Sequence, residues 1–133
     1  MKKVKGLIIM LLISLSLFGM TACDGGNEKS STYEQITAEQ AKTIMDTDKD
    51  YIIIDARTEE EFAEGHIENA ILIPEYEIAK RAEKELPDKE QLILVYCRSG
   101  RRSKIASEEL VKLGYTNVKE FGGIIDWPYE VVK

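Results

Sequence analysis

Leu92-Ile93-Leu94-Val95-Tyr96-Cys97-Arg98-Ser99-Gly100-Arg101-Arg102-Ser103 is the stretch that decides the fold. Its first five residues form a continuous apolar run, the pattern of a buried strand. Beyond it, Ile105, Ala106, Leu110 and Leu113 recur at helical spacing, which predicts a helix over Lys104–Leu113. A cysteine therefore stands at the carboxyl end of a strand, and a short loop leads from it to the amino end of a helix. Open α/β sheets place ligands at that point. Unpaired backbone N–H groups there point at a bound anion. Arg98, Arg101 and Arg102 add positive charge to the same spot. The chemistry implied is a thiolate nucleophile working on an anionic substrate.

The flanking sequence supplies the rest of an alternating β/α chain. Thr37 and Gln40 stand at capping-box spacing and open a helix through Met45. Thr47–Asp50 is a polar turn. Tyr51–Ile54 is a β-branched run, typical of a strand buried on both faces in a parallel sheet. Thr58 and Glu61 repeat the capping-box spacing ahead of a short helix to Glu64, with Gly65 expected as its αL terminator. Ala70–Ile73 is a third strand, stopped by Pro74. Ile78, Ala79 and Ala82 mark a helix that ends before Pro87. After the Lys104 helix, Gly114 closes the turn, and Asn117–Phe121 offers one more strand. Gly122-Gly123 is expected to break it before Ile124–Trp127 leads to Pro128. Strands alternating with helices imply a parallel sheet covered on both faces, an α/β fold.

The chain has 133 residues, enough for one domain. Its start reads differently from the rest. Lys2, Lys3 and Lys5 precede an apolar run, Leu7–Phe18, and small residues then lead to Cys23. A basic start, a short apolar run and small residues describe a secretory signal rather than a membrane span. A cysteine directly after them resembles a bacterial lipoprotein signal, which implies cleavage after residue 22 and a lipid on Cys23. Asp24–Thr32 is small, polar and aperiodic. The expected organisation is thus a signal peptide over 1–22, a flexible tether over 23–32 and a domain over 33–133. That would hold the domain outside the cytoplasm, lipid-anchored to the bacterial cell membrane.

Removing residues 1–22 takes away three lysines and no acidic residue, so the net charge moves from −6 to −9. An acidic body argues against nucleic-acid binding. It also sets off the arginine cluster as a local positive patch suited to a small anion. With Cys23 lipidated, Cys97 has no internal disulfide partner and stands as a free reactive thiol. One His and one free Cys cannot build a structural zinc site, and nothing in the sequence calls for a cofactor.

A thiol is a poor nucleophile until ionised, and helix N-termini and nearby cations favour the ionised form. Gly100 lets the loop take positive φ, so that successive N–H groups turn inward as an anion nest. Ser99 and Ser103 are small and add hydroxyl donors, and Ser103 is placed to hydrogen-bond the Cys97 sulfur. His66 sits in a turn. Asp55 and Arg57 read as a bracing pair near a strand end, Trp127 as core packing, and Glu59-Glu60-Glu61 as a solvated first helical turn.

Cys97-Arg98-Ser99-Gly100-Arg101-Arg102-Ser103 resembles the active-site loop of the rhodanese family of sulfurtransferases. Asp55-Ala56-Arg57 and Gly65-His66-Ile67, within the block from Asp55 to Pro74, are similar to that family's amino-terminal signature. Gly122-Gly123-Ile124-Ile125-Asp126-Trp127 resembles its closing signature. The three blocks fall in family order across residues 33–133. The resemblance implies a rhodanese-like three-layer α/β/α domain with a central parallel sheet. It implies that Cys97 takes the outer sulfur of a small anionic donor such as thiosulfate and passes it, as a persulfide, to a thiol acceptor. Carried over by position, Arg98, Ser99, Gly100, Arg101, Arg102 and Ser103 form the substrate cradle. Arg98 and Arg101 flank its mouth, whereas Arg102 either faces the donor or turns inward to pair with an acid. A second expectation is a persulfide carrier or thiol redox partner that exchanges sulfur with another envelope protein. Cysteine phosphatases place five residues between cysteine and arginine; here four separate Cys97 from Arg102, and Ser103 follows. That tighter loop favours a sulfur atom on the cysteine over a phosphate beside it.

Overall fold

Apolar runs of four residues, Tyr51–Ile54, and six, Leu92–Cys97, form the middle of a parallel sheet. The computed structural model describes residues 32–133, so the expected signal peptide over 1–22, Cys23 and residues 24–31 of the expected tether lie outside the described residues. The strands are β1 (Glu34–Gln35), β2 (Tyr51–Asp55), β3 (Ile71–Leu72), β4 (Leu92–Cys97) and β5 (Val118–Gly123). The helices are α1 (Ala38–Thr47), α2 (Glu59–Glu64), α3 (Ile78–Glu85) and α4 (Arg101–Lys112). Short 3-10 turns, Glu75–Glu77 and Ile124–Asp126, follow β3 and β5. The strand order is β1-β5-β4-β2-β3, and every pairing is parallel.

Side chains alternate across the two faces of the sheet. Ile54, Ile93, Val95 and Cys97 point to one face and pack with Ile78 and Ala82 of α3 and Ala106 and Leu110 of α4. Ile53, Leu94, Tyr96 and Phe121 point to the other and pack with Ala41 of α1 and Trp127. Both faces are covered, which is why β2 and β4 read as unbroken apolar runs. The result is a three-layer α/β/α fold with β4 at its centre. Among the described residues, no helix is long and apolar enough to cross a membrane.

Both capping boxes form. Thr37 Oγ1 accepts from Gln40 N–H at 3.1 Å, and the Gln40 side chain accepts from Thr37 N–H at 2.9 Å. Thr58 and Glu61 repeat the exchange at 3.3 and 3.4 Å. α1 runs two residues beyond Met45 because Thr47 turns its hydroxyl back onto the Thr43 carbonyl at 2.7 Å. Gly65 ends α2, but with φ 157° and ψ 137° rather than in αL. The chain leaves the helix extended because His66 pairs at once with Val132 in an antiparallel bridge. Gly114 does turn left-handed, at φ 98°, and closes α4 through Tyr115 N–H to Leu110 O at 3.1 Å.

Two expectations near the cysteine need correction. Gly122-Gly123 does not break the last strand: β5 continues through both glycines. Gly122 takes φ 88°, and the register slips there, Val95 pairing with Glu120 but Cys97 with Gly123. An extra residue on β5 is thus absorbed as a bulge, a position glycine tolerates. The helix after the cysteine starts at Arg101 rather than Lys104, because Gly100 makes the whole turn from strand to helix at φ 106°.

Candidate active site

β4 carries Cys97 to the carboxyl edge of the sheet, and only Arg98, Ser99 and Gly100 separate it from α4. Arg101, Arg102 and Ser103 therefore form the first turn of that helix. Their N–H groups have no acceptor within the helix. Gly100 N–H points at the cysteine and donates to Cys97 Sγ at 3.0 Å. Ser103 Oγ lies 3.3 Å from the same sulfur. Cys97 is 1 % exposed, so the sulfur sits on the floor of its cradle and not at its rim. Arg98, Ser99 and Arg101 are exposed above it.

The cradle is held from below by β5. Gly123 pairs with Cys97, and a Cβ on Gly123 would stand 2.0 Å from the Arg98 carbonyl oxygen and 2.6 Å from Ser99 Cα. The loop backbone occupies the space a side chain would need. Ile125 N–H then bonds Arg98 O at 3.2 Å and ties down the loop's first turn. The Gly-Gly signature thus works as a seat for the cysteine loop.

Arg102 turns its side chain away from the cradle. Its guanidinium forks onto Glu61 at the start of α2, at 2.7 and 2.9 Å. That fork holds the Glu61 carboxyl down at about 2, against burial, which works the other way. Arg102 is itself raised, first by the Glu61 bond, against burial, which works the other way. The side chain therefore braces the loop. Glu61 is correspondingly more than part of a solvated turn, unlike the exposed Glu59 and Glu60.

A second brace lies at the neighbouring strand end. Asp55 is fully buried and accepts from Arg57 Nε and Nη2 at 3.0 and 2.7 Å and from the Tyr96 hydroxyl at 2.6 Å. Arg57 also donates to Gly65 O at 2.7 Å, and the Tyr96 oxygen accepts from Ile67 N–H at 3.1 Å. Burial, then the Asp55 charge, pushes the Tyr96 phenol well up, which keeps it a neutral donor. None of these contacts reaches the sulfur. His66 stacks on Phe62, with ring centroids 3.7 Å apart, and its Nδ1 meets Phe62 O at 3.0 Å. Trp127 packs against Phe121 and Tyr129. A cavity of about 760 Å³ between α1 and the C-terminal residues, lined by Lys42, Tyr51, Trp127 and Tyr129, includes no residue of the cysteine loop.

Glu120 escaped the sequence reading. It is 2 % exposed on β5 and accepts from Ser103 Oγ at 2.6 Å and Gly122 N–H at 2.8 Å. The signal was available: Glu120 shares the two-residue phase of Val118, which faces α4. An acid in a core-facing phase marks a buried carboxylate.

A family model described as the rhodanese-like domain matches residues 37–128. The chain is 40% identical over 80 residues to the thiosulfate sulfurtransferase PspE of Escherichia coli, covering 60% of this chain and 77% of that protein. It is 34% identical over 102 residues to the putative sulfur carrier protein YrkF of Bacillus subtilis, covering 76% of this chain and about half (54%) of that one. Among solved structures, a rhodanese with anions from E. coli superposes with a TM-score of 0.59 at 38% identity, covering 62% of this chain and 98% of the other. A rhodanese-like domain protein from Staphylococcus aureus gives 0.62 at 33% identity, covering 73% and 93%.

Proposed function

The chain belongs to the rhodanese-like domain family, and from that premise we propose that it is a sulfurtransferase working through a persulfide on Cys97. The observation that carries the site assignment is the sulfur's setting. It lies at the end of a central strand, 3.0 Å from an inward-turned N–H and beside the first turn of a helix. Those donors stabilise an anion on that atom.

In the first half-reaction the Cys97 thiolate attacks the outer sulfur of thiosulfate. A new S–S bond forms, the bond to the sulfonate sulfur breaks, and sulfite leaves with its electron pair. In the second, an acceptor thiolate or cyanide attacks the outer sulfur of the persulfide, and the Cys97 thiolate departs. No electrons are gained or lost overall, so no redox cofactor is needed. Splitting the transfer in two also removes any need for donor and acceptor to meet. The burial of Cys97 fits this division. An S–S bond of about 2.05 Å carries the reactive atom outward from the floor of the cradle. The exposed Arg98 and Arg101 supply positive charge where a sulfonate would sit.

The same proposal has Cys23 carry lipid and residues 23–32 tether a domain over 33–133 outside the cytoplasm. Its support is the basic start at Lys2, Lys3 and Lys5, the apolar run Leu7–Phe18 and the cysteine that follows.

The test is thiocyanate formation from thiosulfate and cyanide by the purified protein and by Cys97→Ser. The wild-type protein forms thiocyanate and the variant does not. Equal activity in the two would remove Cys97 from the reaction.

A further inference from the structure

Proton bookkeeping at Ser103 points to a role for Glu120. Ser103 is fully buried, and its one hydroxyl proton has several acceptors within reach. Gly100 O lies at 3.0 Å, Gly122 O at 3.4 Å and Glu120 Oε1 at 2.6 Å. At 2.6 Å the Glu120 oxygen is the nearest of these acceptors, so when its carboxylate is ionised it takes the proton. Ser103 then turns a lone pair toward Cys97, 3.3 Å away, and that contact is favourable only while the sulfur carries S–H. A thiolate needs the opposite arrangement: the Ser103 proton turned to the sulfur, and a protonated carboxyl donating to Ser103.

We propose that Glu120 accepts the Cys97 proton through the Ser103 hydroxyl and is thereby a positioning residue for the sulfur chemistry. The two arrangements are S–H···O–H···⁻O and S⁻···H–O···H–O. Passing from one to the other breaks the S–H bond and forms a bond from that proton to Ser103 Oγ. The hydroxyl's own proton moves to Glu120 Oε1. Charge and proton count are unchanged, so the thiolate forms without an extra charge entering the buried cluster. Gly122 N–H, 2.8 Å from the same carboxyl oxygen, keeps Glu120 in place in both arrangements.

The proposal rests on the sulfur-transfer reading for its purpose but is tested on the sulfur alone. Alkylation of Cys97 by iodoacetamide in the full chain, followed by peptide mass mapping so that Cys23 does not contribute, reports the thiolate across pH. A shared proton gives a coupled titration, and the wild-type rate rises in two steps. Glu120→Gln keeps the acceptor oxygen but cannot take a proton, and its profile has one step. Ser103→Ala keeps the carboxylate and its through-space charge but removes the hydroxyl that bonds the thiolate, so the amplitude of its lower step falls. In both variants reactivity at the lower step falls at least about tenfold. The charged and titratable groups around the trio are Tyr33, whose phenol senses Glu108 and Glu120, Arg102, which forks onto Glu61, and the Asp55–Arg57 pair, with Arg98 and Arg101 in the loop. All are common to the three proteins. Thermal unfolding confirms that each variant is folded. A Ser103→Ala profile whose lower step keeps its wild-type amplitude, or variants slowed equally at every pH, overturns the proposal. Failure of thiosulfate to load Cys97 while the two-step alkylation persists overturns the sulfur-transfer reading and leaves the relay standing.

Discussion

Substituting Gly123 by alanine tests how the cysteine loop is seated. A Cβ there meets Arg98 O at 2.0 Å, Arg98 C at 2.4 Å and Ser99 Cα at 2.6 Å. All three are backbone atoms, so no side chain can swing aside. Merely to reach 3.0 Å, the loop and the end of β5 must separate by about 1 Å. The Cys97–Gly123 pairing and the Ile125 N–H bond to Arg98 O at 3.2 Å both lie across that gap. Overpacking of this kind costs about 1–3 kcal/mol of stability. A displacement of about 1 Å at reacting atoms costs about a hundredfold in rate. Gly123 itself is extended, at φ −127° and ψ 154°, so backbone strain plays no part. Gly122→Ala provides the control. Its φ of 88° is unfavourable for alanine, but its Cβ would meet nothing within 4 Å. The expected cost is a conformational penalty of about 1–2 kcal/mol. Urea unfolding and single-turnover sulfur transfer from thiosulfate measure both quantities. Gly123→Ala should lose about a hundredfold in transfer rate, beyond anything Gly122→Ala loses. A Gly123→Ala protein with wild-type stability and rate would refute the seating argument.

Two further outcomes follow from the braces. Asp55→Ala removes the counter-charge of Arg57, 2.7 Å away, in a site where both side chains are almost wholly buried. Urea unfolding should show a loss of about 3–5 kcal/mol. Glu61 titrates near 2 in the folded protein against an ordinary 4.5. Its carboxylate therefore contributes stability that is complete above 4.5 and is lost as pH falls through 2, because the unfolded chain takes up the proton first. The pair is about one-fifth to one-quarter exposed, and solvent screening reduces the effect to about 1 kcal/mol. Arg102→Ala should lose that amount near neutral pH and show a correspondingly flatter acid limb in unfolding measured across pH.

Much of this arrangement was legible in the residues. The β-branched and apolar runs at Tyr51 and Leu92 announced central parallel strands, because a strand covered on both faces has no polar phase. Thr37 and Thr58 announced helix starts, because their hydroxyls and the residue three positions on satisfy each other's neighbouring N–H groups. Cys97 and Gly100 stood out because a thiol and a permissive residue bracket a strand-to-helix turn. What escaped depends on tertiary register. β1 is two residues long and exists because Glu34 and Gln35 pair with Lys119 and Glu120. The glycines at 122 and 123 read as breakers, since only the slip against Cys97 makes them a bulge and a seat. Arg102 could be read two ways because its partner, Glu61, is 41 positions away. Glu120, by contrast, is legible from its phase with Val118, and only its partner Ser103, 17 positions away, depends on the tertiary fold.

The central claim is that Cys97 carries the transferred sulfur. Incubation of the full chain with thiosulfate, followed by peptide mass mapping, tests it without any acceptor or turnover. The account predicts one added sulfur atom on the peptide holding Cys97, and its loss as thiocyanate when cyanide is added. No added sulfur on that peptide, or the same gain elsewhere in Cys97→Ser, would contradict it.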